Sequence, residues 1–74
     1  MNATTQAIID RLPHKPVLAP GDIAAAYGLQ STNPILADIK TGKLDANMVG
    51  GKYIIARSAA EEYIAANEYQ PDEA

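Results

Sequence analysis

The chain has 74 residues, enough for one small domain and too few for a second lobe or a deep cleft between lobes. Hydrophobic residues make up 47 % of it and charged residues 20 %, which is typical of a globular domain rather than a disordered chain. With no cysteine and one histidine, the sequence excludes disulfides, thiolate metal sites, a cysteine nucleophile and zinc sites built on paired histidines. We therefore expect no cofactor and no metal.

Charge is unevenly distributed along the chain, whose formal net charge is −3. All six basic residues lie between Arg11 and Arg57, where three acids accompany them, so this stretch is weakly basic. From Glu61 onward the chain is acidic. This asymmetry is compatible with a modest anion-binding face.

Neither a membrane span nor a secretory signal is expected. The sequence has no run of about 18 apolar residues, the length that a transmembrane helix needs. Its first residues, Met1 to Gln6, lack the basic flank and apolar stretch of a signal peptide. We therefore expect a cytoplasmic protein with no membrane partner.

Residues 1–17 are predicted to form a short N-terminal helix and a connector. Ile8, Ile9 and Leu12 recur at helical spacing over residues 4–12, with Thr4 or Thr5 as the N-cap. Two prolines then interrupt regular structure in residues 13–17.

Proline and glycine mark two further helices. The second helix is predicted to begin near Pro20 and to end at Gly28, because glycine enters the left-handed conformation at little cost. The third is predicted to begin at Asn33, acting as N-cap before Pro34, and to end at Gly42. Two helices separated by a short turn are typical of a helix-turn-helix. Their buried faces are predicted to consist of Ile23, Ala24 and Tyr27, then Ile35, Leu36 and Ile39.

The periodicity changes after Gly42. Two short strands are predicted around Gly50-Gly51, a pair typical of a tight hairpin. A closing helix follows, with Ser58 and Glu61 predicted to form a capping box. The predicted fold is therefore mainly α with a small two-stranded β wing, a winged helix-turn-helix over residues 18–66, followed by an acidic flexible tail over 67–74.

Residues in this order and spacing also resemble a known family. The matching positions are Pro20, Ile23-Ala24, Tyr27-Gly28-Leu29, Ile35, Ile39, Gly42-Lys43-Leu44, Val49-Gly50-Gly51-Lys52-Tyr53, Ile55, Arg57 and Tyr63-Ile64. From about Leu18 to Ile64 the chain resembles the small winged domains of phage excisionases and MerR-type regulators. The resemblance implies double-stranded DNA binding, head-to-tail cooperative arrays of several copies, and a site-specific recombinase as a further partner.

The third helix is the predicted recognition helix. Such a helix fits the major groove and presents the side chains opposite its packing face. The residues expected on that outward face are Thr32, Asn33, Ala37, Lys40 and Thr41.

Several of these residues have specific expected contacts. Asn33 suits the paired donor–acceptor contact with adenine, unless its side chain serves only as the helix cap. Lys40 and Lys43, near the helix end, are expected to hold phosphates, as is Ser31 at the helix start. Asp38 would oppose binding if it were exposed, because it repels phosphate.

The predicted wing supplies the second group of candidate DNA contacts. Gly50 and Gly51 allow the backbone to approach the duplex closely, and Lys52 then projects at the sugar-phosphate edge or the minor groove. Arg57 is expected either to hold a phosphate or to form an ion pair with Glu61 or Glu62. With Lys15 included, at most about five cations could reach phosphate, so a single copy is expected to bind weakly.

Three other functions are considered. Catalysis is not expected, because the chain has no nucleophile–base set and no phosphate-cradling glycine loop. A protein-interaction module that kept the winged fold and lost DNA binding is favoured by the low basicity and by Asp38. A phage DNA-packaging domain that binds DNA through a similar fold is the third alternative.

Overall fold

The structure is a computed structural model, and it describes residues 1–69. Over this range the chain forms four helices and a three-stranded antiparallel sheet, so it is mainly helical, as predicted. The predicted acidic tail is described as far as Tyr69, and its remainder lies outside the described residues. The elements in chain order are α1 Ala3–Asp10, β1 Val17–Leu18, α2 Pro20–Tyr27, α3 Asn33–Lys40, β2 Asn47–Val49, β3 Lys52–Ala56 and α4 Arg57–Ala66.

The sheet has one strand more than the sequence pattern predicts. Its order is β1-β3-β2, and both outer strands pair antiparallel with β3. In β1, Val17 lies opposite Ala56 and Leu18 opposite Ile55. The predicted two-stranded wing is present, but strand β1 was missed and Val17 was placed in the connector, because a strand of two residues is too short to show alternation.

The hairpin between β2 and β3 was predicted correctly. Gly50 and Gly51 have φ angles of 57° and 78°, so both lie in the left-handed region. Two such residues form the turn whose twist matches that of the flanking strands. The turn fixes the register that places Val49 opposite Lys52.

Helix α2 also begins and ends where the sequence indicated. Pro20 is its first residue, and the Asp22 carboxylate accepts a hydrogen bond from the Ala19 N–H at 2.9 Å. Gly28 ends the helix at φ 75°, and its N–H donates to the carbonyl of Ala25. Pairing the free backbone groups at both ends holds this short helix in place.

The predicted caps of α1 and α4 are wrong. Asn2, and not Thr4 or Thr5, caps α1, because the Asn2 Oδ1 accepts the Thr5 N–H at 2.8 Å. Helix α4 begins at Arg57 directly after β3, so Ser58 lies inside the helix and forms no capping box. The end of the strand, rather than the side-chain signal, decides where this helix begins.

A single core joins helices and sheet. Helix α1 supplies Ile9, and the turn that follows it supplies Leu12, so the N-terminal segment belongs to the same packing unit as the rest. The largest fully buried side chains are Leu12, Ile23, Ile35, Leu44, Ile55 and Ile64. Burying each of them contributes about 1.5–3 kcal/mol relative to leaving it exposed.

Candidate nucleic-acid interface

One side of α3 is exposed along its length. Asn33, Ala37, Lys40 and Thr41 recur at helical spacing and are all exposed, whereas Ile35 on the other side is 1 % exposed. We call these four exposed residues the α3 stripe. Its polar and small side chains, presented on a helix held by its apolar side, have the form that a groove-reading helix requires.

The start of α3 leaves the Asn33 side chain available. Asn33 is the first helical residue, and the Thr32 before it makes no capping hydrogen bond through its half-buried side chain. Instead the Ser31 Oγ accepts the Asn33 N–H at 3.1 Å. The expectation that Asn33 acts as the cap was wrong, and within residues 1–69 its side-chain amide has no hydrogen-bond partner in the protein.

Two lysines mark the end of α3. Lys40 and Lys43 are exposed, and neither forms an ion pair with another residue of the 1–69 range. The Thr41 hydroxyl donates to the Asp38 carbonyl at 3.3 Å, which turns it toward the backbone. Gly42, at φ 84°, then takes the chain away from the helix. Positive charge at this end also complements the helix dipole.

Lys52 stands beside the hairpin turn. It is exposed, as are Gly50 and Gly51, and it forms no ion pair within the described part of the chain. The adjacent turn residues, Gly50 and Gly51, have no side chains that would block a ligand from approaching. The lysine is therefore accessible to an anion.

Arg57 is engaged within the protein. Its guanidinium forms an ion pair with Glu61 and donates hydrogen bonds to the carbonyls of Pro13 at 3.2 Å and Ile9 at 3.5 Å. The ion pair was one of the two expectations for this residue. These bonds do not support the other expectation, a phosphate contact, and they tie α4 to the end of α1.

Asp38 does not face solvent freely. It is half-buried, and its carboxylate accepts a hydrogen bond from the Tyr63 hydroxyl at 2.5 Å. Tyr63 packs edge-to-face on Tyr27, with the ring centroids 6.3 Å apart. Burial and this hydrogen bond raise the pKa of Tyr63 well above its ordinary value. Burial likewise raises the pKa of Tyr27.

The charge of the candidate interface depends on which lysines form no ion pair within the protein. Lys15 pairs with Asp22 at 3.6 Å on the surface, which compensates part of its charge. Arg57 is likewise paired, with Glu61. Three lysines make no ion pair within residues 1–69, namely Lys40, Lys43 and Lys52. Within the same range no cluster of side chains suits a metal ion, and no helix is long and apolar enough to cross a bilayer.

Comparison with family models, with curated proteins and with solved structures finds no significant match for this chain. The resemblance to excisionases and MerR-type regulators therefore remains a prediction from the residues.

Proposed function

We propose that the chain binds double-stranded DNA through a winged helix-turn-helix. In this proposal α3 enters the major groove and the β2–β3 hairpin contacts the adjacent backbone or minor groove. The biological role proposed is that of an excisionase-like recombination directionality factor or a small transcriptional regulator that binds as several copies.

The order of elements supports this fold assignment. Helices α2 and α3 are joined by a short turn, and a hairpin follows them, which is the arrangement of a helix-turn-helix with a wing. The antiparallel strand β1, between α1 and α2, adds to the sheet that carries the hairpin.

The observation that carries the proposal is that the α3 stripe is exposed and that Lys40, Lys43 and Lys52 form no ion pair within residues 1–69. The stripe offers Asn33 for base contacts and Lys40 for phosphate. Lys43 follows the end of α3, and Lys52 stands beside the hairpin turn. The half-buried Asp38 carboxylate accepts a hydrogen bond from the Tyr63 hydroxyl, which lowers the expected repulsion between Asp38 and DNA phosphate.

The number of available lysines predicts weak binding by one copy. Three phosphate contacts correspond to a slope of about −2.7 in log K against log salt, or a loss of about 40-fold in affinity between 50 and 200 mM. Useful occupancy at physiological salt therefore requires several copies on neighbouring sites, or a partner protein.

A gel-shift titration across the attachment region and promoter of the chain's own genetic element tests the proposal. Stepwise, laddered shifts are expected for several copies, and a single shift would indicate a dimeric regulator. Absence of any shift at about 50 mM salt, where phosphate contacts are strongest, would refute DNA binding.

A charge reversal tests the wing. Lys52→Glu is expected to abolish binding without lowering the melting temperature, because the side chain is exposed and makes no ion pair within residues 1–69. Arg11→Glu, an equal charge change at the exposed end of α1, is the matched control and should weaken binding far less. Equal effects of the two variants would show that only net charge matters.

A second candidate function is protein interaction without DNA binding. Three exposed apolar side chains near the sheet favour it, namely Val17, Met48 and Val49. The gel shift distinguishes the two functions directly.

A further inference from the structure

The outward face of the small sheet is apolar. Along β3, Ile55 is completely buried, so the alternate residues Lys52, Ile54 and Ala56 lie on the opposite, outward face. Ile54 is half-buried and Ala56 is exposed. A solvated face of an antiparallel sheet usually carries polar residues at these positions.

The neighbouring strands extend this face. The register places Val49 beside Lys52, Asn47 beside Ile54, and Val17 beside Ala56. Val17 and Val49 are 51 % and 60 % exposed. Together these positions form the outer sheet face: Val17, Asn47, Val49, Lys52, Ile54 and Ala56.

Two grooves meet at Ile54. One, of about 420 Å³, is lined by Val17, Val49 and Lys52, and by Lys15, which is paired with Asp22. The other, of about 320 Å³, is lined by Asp45 beside Ala56 and the start of α4. Ile54 lines both. Lys52 therefore marks the hairpin-turn end of the outer sheet face, Ile54 its centre, and Asp45, two residues before Asn47, the opposite end.

We infer that a second copy of the chain covers the outer sheet face, related to the first by a two-fold axis through Ile54. Such an axis sets the two β3 strands antiparallel and brings Ile54 against Ile54. It also places Lys52 of each copy at the groove that holds Asp45 of the other. A two-fold interface uses the same patch on both subunits and so must be self-complementary, as this charge pattern is.

The area of the patch predicts a weak pair. Strand β3 has five residues at about 3.3 Å each, while β1 has two and β2 three, so with strands about 4.8 Å apart the footprint is at most roughly 14 by 16 Å. That is well below the about 800 Å² of surface per partner that a stable complex buries. The pair is therefore in exchange with free copies.

Pairing does not rest on the proposed DNA binding, because it needs no nucleic acid. The two do share Lys52, which cannot contact Asp45 of a second copy and a phosphate at once. DNA and the second copy therefore compete for this residue, and the test below is done without DNA so that each proposal can fail separately.

Sedimentation equilibrium of the full chain, up to about 1 mM protein, measures the pairing. A monomer–dimer equilibrium is expected. Ile54→Lys, which sets two like charges at the axis, should weaken it at least tenfold while thermal melting followed by circular dichroism shows that the fold is retained. A chain that stays monomeric throughout, or an Ile54→Lys variant that pairs as well as the parent, would overturn the inference.

Charge reversal provides a second, independent test of the pairing. Lys52→Glu and Asp45→Lys should each weaken pairing about tenfold, because each creates two like-charge contacts per dimer. The double variant should restore pairing to within about threefold, since it exchanges the signs at both contacts. Lys40→Glu, on α3, is the control and should leave pairing unchanged. Additive losses in the double variant would show that a dimer, if present, uses another surface.

Discussion

The Tyr63 hydroxyl donates a hydrogen bond to the Asp38 carboxylate, and this bond joins the closing helix to the proposed recognition helix. The two residues lie 25 positions apart in sequence. Because Asp38 is half-buried, its charge is stabilised by a donor instead of by water alone. The orientation of α3 therefore depends on α4 as well as on the apolar contacts of Ile35.

Two tyrosine variants test this dependence. Tyr63→Phe should lower the free energy of unfolding by about 1–2 kcal/mol, because it leaves a half-buried carboxylate without its donor. Tyr27→Phe should change it less, because no group of the described residues meets hydrogen-bond geometry with the buried Tyr27 hydroxyl, although the Asn67 side chain lies near enough to oppose the rise of its pKa. Urea titrations of both variants measure the difference. A larger loss for Tyr27→Phe would contradict the assignment.

Stability is expected to fall at alkaline pH. Burial and the bond to Asp38 raise the pKa of Tyr63 above its ordinary value of 10.0, and burial raises that of Tyr27. Above pH 10 the tyrosines of the unfolded chain release protons that those of the folded chain retain, so the free energy of unfolding falls as the pH rises. Below pH 10 the stabilisation by the two protonated tyrosines is fully present. Urea midpoints from about pH 8 to 11 should decline, and the decline should be shallower for Tyr63→Phe.

Two glycines should respond oppositely to alanine. Gly28 ends α2 at φ 75°, where alanine is strained, so Gly28→Ala should cost about 1 kcal/mol. Gly21 lies inside the same helix and is exposed, so Gly21→Ala should stabilise by about 0.5–1 kcal/mol. No atom lies within 4 Å of the added methyl at either site, so steric contacts cannot account for opposite effects of the two substitutions. Equal shifts in melting temperature would refute this conformational explanation.

The start of α3 provides a test that separates structure from base contacts. Asn33→Ala should change the free energy of unfolding by less than about 0.5 kcal/mol, because its side chain bonds to nothing in the described protein. Ser31→Ala should cost about 0.5–1 kcal/mol by leaving the Asn33 N–H without its acceptor. In gel shifts, Asn33→Ala should lose about 1–3 kcal/mol of discrimination between target and unrelated DNA. A stability loss from Asn33→Ala as large as that from Ser31→Ala would restore Asn33 as a cap.

Much of the fold could be predicted because its helix ends and its hairpin turn are formed by proline and glycine, which favour particular backbone conformations. Pro20 and Gly28 bound α2, and Gly50-Gly51 gives the hairpin, since few other residues adopt those backbone angles. Strand β1 could not be predicted. Two residues carry no periodicity, and they pair only because β3, nearly 40 positions later, presents a free edge.

The same contrast holds for the candidate site. The exposure of the α3 stripe follows from the spacing of Ile35 and its apolar neighbours, which is a local property of one helix. The role of Arg57 depends on the carbonyls of Ile9 and Pro13, more than 40 residues away. The apolar outer sheet face was missed for a similar reason, because Val17 joins it only when β1 pairs with β3.

The bonds of Arg57 have a consequence for local opening. Besides its guanidinium contacts to Ile9 and Pro13, its backbone N–H donates to the carbonyl of Pro16 at 3.0 Å. One residue thus supplies polar links to the end of α1 and to the connector behind it. These links act together with the burial of Ile9 and Leu12 in the core. Replacing Arg57 is therefore expected to raise the rate at which the amides of α1 exchange with deuterated solvent.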